Sequence, residues 1–322
     1  MMGWIGLTLE STAIAAAAAC LVSLGAWAWL RRADTTRTTS ARRADLALLA
    51  GVLPMLTGLA VLVALILPSV LHAAGVQADH CALHDHHRHL CALHAATDPG
   101  GLALAGAGAM AWLATRAVSL GARQWQAVRS ISALQRLGRW TEDARFPQVR
   151  VPGSPWLSLA VGIFSPRILI SASLESRLDR SAFEAVIEHE SAHLRRRDPQ
   201  ALAAITWAGL FAAPGVASLV RAAFLDAAEE ASDAEAADRL GAPAVARALI
   251  AVARVQRVRP PAMSMGFGYT SVERRVRVLL DAPQVAARSH APLLVLFALG
   301  TAAVLATAGS DWLHHAVESL IQ

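Results

Sequence analysis

Four long apolar runs, at 11–30, 46–71, 101–120 and 291–308, constrain this chain more than any other feature. Each is close to the ~20 residues that a helix needs to cross the hydrocarbon core of a bilayer. Lipid offers a bare backbone no hydrogen-bonding partner, so such runs are expected as helices whose peptide groups satisfy one another. Of the 322 residues, 55% are hydrophobic, too many for an ordinary soluble enzyme. The expected class is a mainly α membrane protein, with about four transmembrane helices plus a cytoplasmic α+β domain containing a small β-sheet.

Charge sets the orientation. The chain has no Lys, so all 29 of its basic side chains are Arg, and the net charge is +5. These arginines crowd the ends of the apolar runs, where topology explains them better than direct nucleic-acid binding does. Arg31, Arg32, Arg37, Arg42 and Arg43 follow the first run; Arg123, Arg129, Arg136, Arg139, Arg145 and Arg150 follow the third. The loop 72–99 between the second and third runs has only Arg88. The positive-inside rule then predicts a multi-pass protein of the plasma membrane, with loop 72–99 and the C-terminus outside. The expected division is a membrane domain at 1–122, a cytoplasmic domain at 123–288, and a last span with a short outer tail at 289–322. The start of the chain lacks a basic n-region, so the first run reads as a retained span. Gly101, Gly106 and Gly108 are expected to let a neighbouring helix approach the third span closely.

Within 123–288, residues 124–138 read as an amphipathic helix that continues from the membrane or lies along it. Short β-type runs at 149–151, 157–161 and 167–170 are split by Pro152-Gly153, Pro155 and Ser165-Pro166. Ser181, with Glu184 completing a capping box, is the expected start of a helix over 182–197 that Pro199 ends. Helices are also expected at about 222–240, 242–258 and 271–280. Between them, 201–224 is apolar, but Pro214-Gly215 breaks it into pieces too short to cross a bilayer alone.

The helix at 182–197 contains His189-Glu190-Ser191-Ala192-His193, an HExxH pattern. Residues four apart share a helix face, so His189 and His193 can grip one Zn²⁺ with Glu190 beside it to act on a bound water. By itself the pattern is equally a charged helix surface with a core histidine. A carboxylate is the usual third ligand in one large class of HExxH enzymes. Glu229-Glu230-Ala231-Ser232-Asp233 on a later helix supplies candidates. Glu229 and Asp233 share a face, so Glu229 is assigned to the metal. Asp233 is assigned to the free N–H of a ligand histidine, or else to a salt bridge with a nearby Arg. Glu230 points about 100° away and is the lesser candidate, and Asp198 is expected to cap or pair locally. Zn²⁺ chemistry of this kind hydrolyses peptide bonds, with Glu190 carrying the proton. Tyr269, the one Tyr of the chain, is a candidate donor to the developing oxyanion or an ordinary packing residue. Because His193 and Glu229 must meet one ion, 201–224 cannot cross the membrane an odd number of times. It is expected as a re-entrant hairpin, a membrane-dipping helix pair or a buried core. The 167–170 run, as an edge strand, is a candidate to hold an extended substrate.

Three segments, GIFSPRILIS at 162–171, HESAHLRRRDP at 189–199 and EEASDAEAA at 229–237, resemble the BlaR/MecR family of integral-membrane zinc metallopeptidases. The related HtpX/CAAX-protease family shares the HExxH and ExxxD helices, and both are of gluzincin type. The resemblance covers about 123–280. It implies a gluzincin-like fold for the cytoplasmic domain, with His189, His193 and Glu229 on zinc and Glu190 catalytic. The segment SVERRV at 271–276 resembles the Arg-containing stretch that ends both families' protease domains, which places Arg275 at the cleft. The HtpX relatives carry a His-Pro before that stretch, where this chain has Tyr269-Thr270. Three spans before the domain and one after it fit the BlaR/MecR layout. The chain stops where relatives that sense β-lactams carry a penicillin-binding domain, so direct β-lactam sensing is not expected. The resemblance implies signal-dependent cleavage of a cytosolic protein, of which a winged-helix repressor is the candidate. The alternatives are an HtpX-type quality-control protease and a non-enzymatic metal-responsive receptor with a structural zinc site.

The outer loop repeats the tetrapeptide CALH, placing Cys81, His84, Cys91 and His94 in two CxxH pairs. Three readings stay open: a second metal site, a Cys81–Cys91 disulfide, or a solvated polar loop.

Overall fold

Among the described residues, three helices are long and apolar enough to cross a membrane: α1 (Met2–Arg32), α2 (Ser40–Ala73) and α3 (Gly101–Leu137). The computed structural model of the chain describes residues 2–32, 38–76, 100–141, 146–153, 157–255, 272–281 and 291–309, together with positions 312, 316, 317 and 319. The outer-loop residues Cys81, His84, Cys91 and His94, and Tyr269, lie outside the described residues.

α1 packs along both α2 and α3. Of the three glycines expected to admit a neighbour, Gly106 alone does so. A Cβ there would stand 1.8 Å from the Leu9 carbonyl oxygen of α1, whereas at Gly101 and Gly108 it would meet nothing within 4 Å. The neighbour crosses α3 at one point, so a single small residue decides how close the backbones come. α3 does not stop at the end of the apolar run. Its 37 residues form one rod ~55 Å long, so the amphipathic helix expected at 124–138 is its continuation. Near its end Ile131 and Leu134 pack against Val149, Val151, Val161 and Leu169 of a sheet.

That sheet holds β1 (Arg139–Thr141), β2 (Gln148–Val151), β3 (Ser158–Val161) and β4 (Arg167–Ser171) in the order β1-β2-β4-β3. β2 and β4 run parallel; the other pairs are antiparallel. β1 was not expected. β4, expected as an edge strand, is interior, hydrogen-bonded to β2 on one side and β3 on the other. The reason is the tight return at Gly162, whose φ of 100° suits glycine and whose notional Cβ would sit 2.0 Å from the Ser165 carbonyl oxygen. This turn folds β3 back onto β4 and leaves β3 at the edge.

The short α4 (Ala172–Arg177) leads to α5 (Arg180–Arg196). α5 starts at an Asp179 cap, whose carboxylate accepts from the Ala182 amide at 2.8 Å, and not at Ser181. An anionic cap also complements the positive end of the helix dipole. Glu184, freed from the expected capping box, pairs with Arg180 at 3.0 Å. Pro199 does not terminate α5. The helix ends because Arg197 adopts the left-handed conformation (φ 61°, ψ 35°), and Pro199 lies in the first turn of α6 (Asp198–Ala208), where its missing N–H costs nothing. A 3-10 turn (Gly209–Phe211) and a bend through Pro214-Gly215 return the chain as α7 (Val216–Leu240). Then follow α8 (Ala242–Val255), α9 (Val272–Asp281) and α10 (Ala291–Ala308). α10 lies along α2, with Ala298 and Ala302 against the α2–α6–α7 cluster.

The stretch 201–224 is thus a helical hairpin, and it inserts between the spans. Leu202, Ile205, Ala208, Phe224, Ala227 and Ala228 form one apolar cluster with Ala44, Ala47, Leu48, Val52 and Leu56 of α2. A second cluster joins Ile170 of β4 to Ala182, Ala185 and Val186 of α5, Ala236 of α7, Leu249 and Val252 of α8 and Leu279 of α9. α7 therefore belongs to both cores, its first half to the membrane-side cluster and its last third to the sheet-side one. Overpacking the α1–α3 crossing is expected to cost ~1–3 kcal/mol: thermal melts of the full chain should show Gly106→Val lowering Tm by several degrees, while Gly108→Val leaves it unchanged.

Candidate metal centre

The site lies at the junction of the two cores. One helical turn apart on α5, His189 and His193 turn their rings edge to face, at an interplanar angle of 87°, with the two Nε2 atoms 3.1 Å apart. Glu229 comes in from α7, its Oε2 3.5 Å from His189 Nε2 and its Oε1 3.6 Å from His193 Nε2. Among the described residues these three form the one group whose donor atoms converge as a metal set, all within 4.8 Å of one another. Ligands at ~2.0–2.2 Å around a tetrahedral Zn²⁺ stand ~3.4 Å apart, so the spacing fits. Glu229 has the most accessible side chain of the three, at 16% against 10% for His193 and 2% for His189. The centre therefore opens on the Glu229 and His193 side.

The outer ring nitrogens are held too. Asp233 Oδ1 lies 2.9 Å from His189 Nδ1. Asp198 Oδ2 lies 2.8 Å from His193 Nδ1, which also meets Ser232 Oγ at 3.0 Å. A carboxylate at Nδ1 keeps the proton there and turns the Nε2 lone pair inward, the arrangement a metal-ligating histidine needs. Asp233 thus stands where the sequence places it. Asp198 does pair locally, with Arg196 at 3.4 Å, but it also grips His193. Sequence reasoning missed that contact, and missed Ser232. The left-handed turn at Arg197 swings Asp198 back beneath His193, and a non-glycine residue gives no warning of such a turn. A proline placed as Pro199 is, in the first turn of a new helix, was the available signal.

Arg275 reaches the centre from α9. It is 1% exposed, donating to both Asp233 oxygens at 2.7 Å and lying 2.9 Å from Glu229 Oε2. Two adjacent buried carboxylates repel each other unless a cation lies between them, and a guanidinium fork serves both. Its place is therefore a positioning one. Glu190, 3% exposed, accepts a 2.8 Å hydrogen bond from Ser158 on β3, a partner with no sequence signature. Glu230 does not join the ligands. It turns to Arg43 of α2 and to Arg274 of α9, the latter at 3.0 Å.

Electrostatics point the same way. Glu190, Asp198, Glu229 and Asp233 place negative charge around two imidazoles, with Arg275 against Glu229 and Asp233 and Arg196 against Asp198. Without a metal, protons make up the difference. Burial alone pushes His193 down, but hydrogen bonds to Asp198 and Glu229 and the charges of both carboxylates overcome it and raise its pKa to about 10. His189 is raised in the same way, burial being outweighed by Asp233 and Glu229. Burial pushes Glu229 and Asp233 up, yet Arg275 and the imidazoles hold Glu229 well below the usual carboxylate range and lower Asp233 as well. A buried, anionic, two-imidazole pocket is suited to a dication. No family model, curated protein or solved structure matches this chain.

Two outcomes are expected. The metal-free chain gains stability from protonated His193 below its ordinary pKa of 6.5 and loses it as pH rises through about 10. A metal takes the neutral ring, so apparent Zn²⁺ affinity should climb over that window, with about one proton or more released at pH 7.5. Calorimetry in buffers of different ionisation enthalpy reads this, and zero release contradicts it. Second, Arg275→Gln strands two buried carboxylates and should cost ~3 kcal/mol or more. Arg277→Gln removes a surface pair with Glu273 and should cost less than ~0.5 kcal/mol in the same denaturation series.

Proposed function

We propose that this protein is a membrane-embedded zinc metalloendopeptidase whose site lies at the cytoplasmic face, cutting a cytosolic or membrane-proximal protein. The convergence of His189, His193 and Glu229 with Glu190 alongside carries the reading. The resemblance of 123–280 to BlaR/MecR metallopeptidases supports it, and so does the arginine asymmetry for orientation. The α10 helix serves as the fourth span, giving an even number of crossings outside the hairpin.

When bound, Zn²⁺ supplies a Lewis acid that acidifies a water and polarises the scissile carbonyl. The remaining work belongs to the chain. Ser158 holds Glu190 Oε1, fixing the carboxylate so that its other oxygen takes the proton of the attacking water and returns it to the leaving amine. Asp233 and Asp198 hold the imidazole tautomers, and Arg275 keeps Glu229 aimed at the histidines. β3, the sheet edge next to α5, offers its unpaired side to an extended peptide, and Ser158 on that strand brings the peptide to Glu190. The substrate is a single regulated protein, for which a winged-helix repressor is the candidate the resemblance supplies.

Proteomics of cells carrying wild type or Glu190→Gln tests this. The variant should bind zinc as wild type does and leave one cytosolic protein uncut. Many uncut misfolded membrane proteins would point to quality control instead, and unchanged cleavage with zinc bound would leave the centre structural.

A further inference from the structure

The unit that carries Glu229 is gripped by two arginines of the membrane bundle that the ligand motifs do not include. Arg116 lies on α3, inside the third apolar run. A guanidinium at membrane depth is expensive unless it is paired. Arg116 stacks over the Trp112 ring, 4.4 Å from its centroid, and donates to the carbonyls of Gly209 (3.0 Å), Leu210 (3.0 Å) and Ala212 (3.3 Å). These carbonyls lie at the turn that follows α6, where a helix end leaves carbonyls short of donors; Gly209 O also accepts from the Ala212 amide at 3.3 Å. On the other side of the tip, the Ala213 amide donates to Ser23 Oγ of α1 at 3.0 Å. The hairpin tip thus has its polar groups met by the spans, as a helix end among apolar spans requires.

The second grip is at the level of the site. Glu230 has a fully buried side chain, shared between Arg43 at the inner end of α2 and Arg274 of α9. Its chain neighbour is Glu229, and the neighbour of Arg274 is Arg275, which holds Glu229 and Asp233. Around Glu229 and Asp233 the apolar side chains that α7 buries are all small, Ala227, Ala228, Ala231 and Ala234, while its larger ones, Val216, Val220 and Phe224, lie toward the hairpin tip. Such a face has no large ridges to lock into grooves, so it resists sliding and rotation poorly.

We propose that Arg43 and Arg116 are positioning residues for the metal centre, holding α7 at site level and at the hairpin tip so that Glu229 stays in register with His189 and His193. The metal part of this inference rests on the metallopeptidase reading; the grip on α7 does not. The test uses the full chain in lipid nanodiscs. Arg43→Ala and Arg116→Ala are compared with Arg42→Ala and Arg123→Ala, which remove exposed arginines from the same two helices. In metal-free protein, hydrogen exchange over 224–233 should rise about 10-fold in the two grip variants and stay within about twofold in the controls. Co²⁺ affinity should fall about 10-fold, as when a ligand's support is removed, and recover in part with Arg43→Lys and Arg116→Lys. Unchanged exchange in both grip variants, or an equal rise in the controls, overturns the proposal. Should Arg116→Ala fail to insert, Arg116→Lys and Glu230→Gln carry the test, and wild-type exchange in both overturns it. Wild type that binds no Co²⁺ would sink the metallopeptidase reading while the exchange comparison still decides the grip.

Discussion

Buried charge is the constraint on which this structure depends. Four carboxylates, a guanidinium and two imidazoles occupy one poorly solvated place. An isolated ion there is too costly to persist, so each group needs a partner at hydrogen-bond distance. The partners arrive on separate elements: the histidines and Glu190 on α5, Asp198 on α6, Glu229 and Asp233 on α7, Arg275 on α9 and Ser158 on β3. Misplacing any of these elements strands a charge. The site thereby fixes the relative positions of the helices as much as the helices position the site.

The same constraint explains why the site sits where it does. α7 packs its first half among the spans and its last third in the sheet-side core, and Glu229 to Asp233 fall between. Neither core needs those residues for apolar packing, which frees them to be polar. α5 faces the junction from the opposite side, so the histidines meet Glu229 there. The site lies at the level of Arg43, near the N-terminal end of α2.

Much of this was legible in the sequence. Three apolar runs marked the three helices long and apolar enough to cross a membrane, and the fourth falls on α10, because lipid-compatible helices are written as uninterrupted hydrophobicity. His189, His193 and Glu229 were legible because helical spacing puts them on particular faces. The expectation that 201–224 makes no odd crossing followed from assigning His193 and Glu229 to one ion, and the chain there is a helical hairpin. What escaped depended on neighbours distant in the chain. Asp198 was expected to cap or pair locally, and it pairs with Arg196; its contact with His193 escaped because it rests on the left-handed turn at Arg197. β4 was taken for an edge because nothing local to it announces that β3 folds back. For Arg275, which the resemblance places at the cleft, the pairing with both Glu229 and Asp233 appears only in the fold.

By itself, then, the sequence determined most of the elements and the candidate ligand set, since period, length and residue chemistry are local properties. Tertiary structure decided the support: Asp198 and Ser232 on His193, Ser158 on Glu190, Arg275 between two carboxylates, and Arg43 and Arg116 on the hairpin. A short or long polar side chain can pair with many partners, and only the folded chain selects one. Burial makes that selection binding, because a polar group taken from water must bond to whatever the fold has brought beside it.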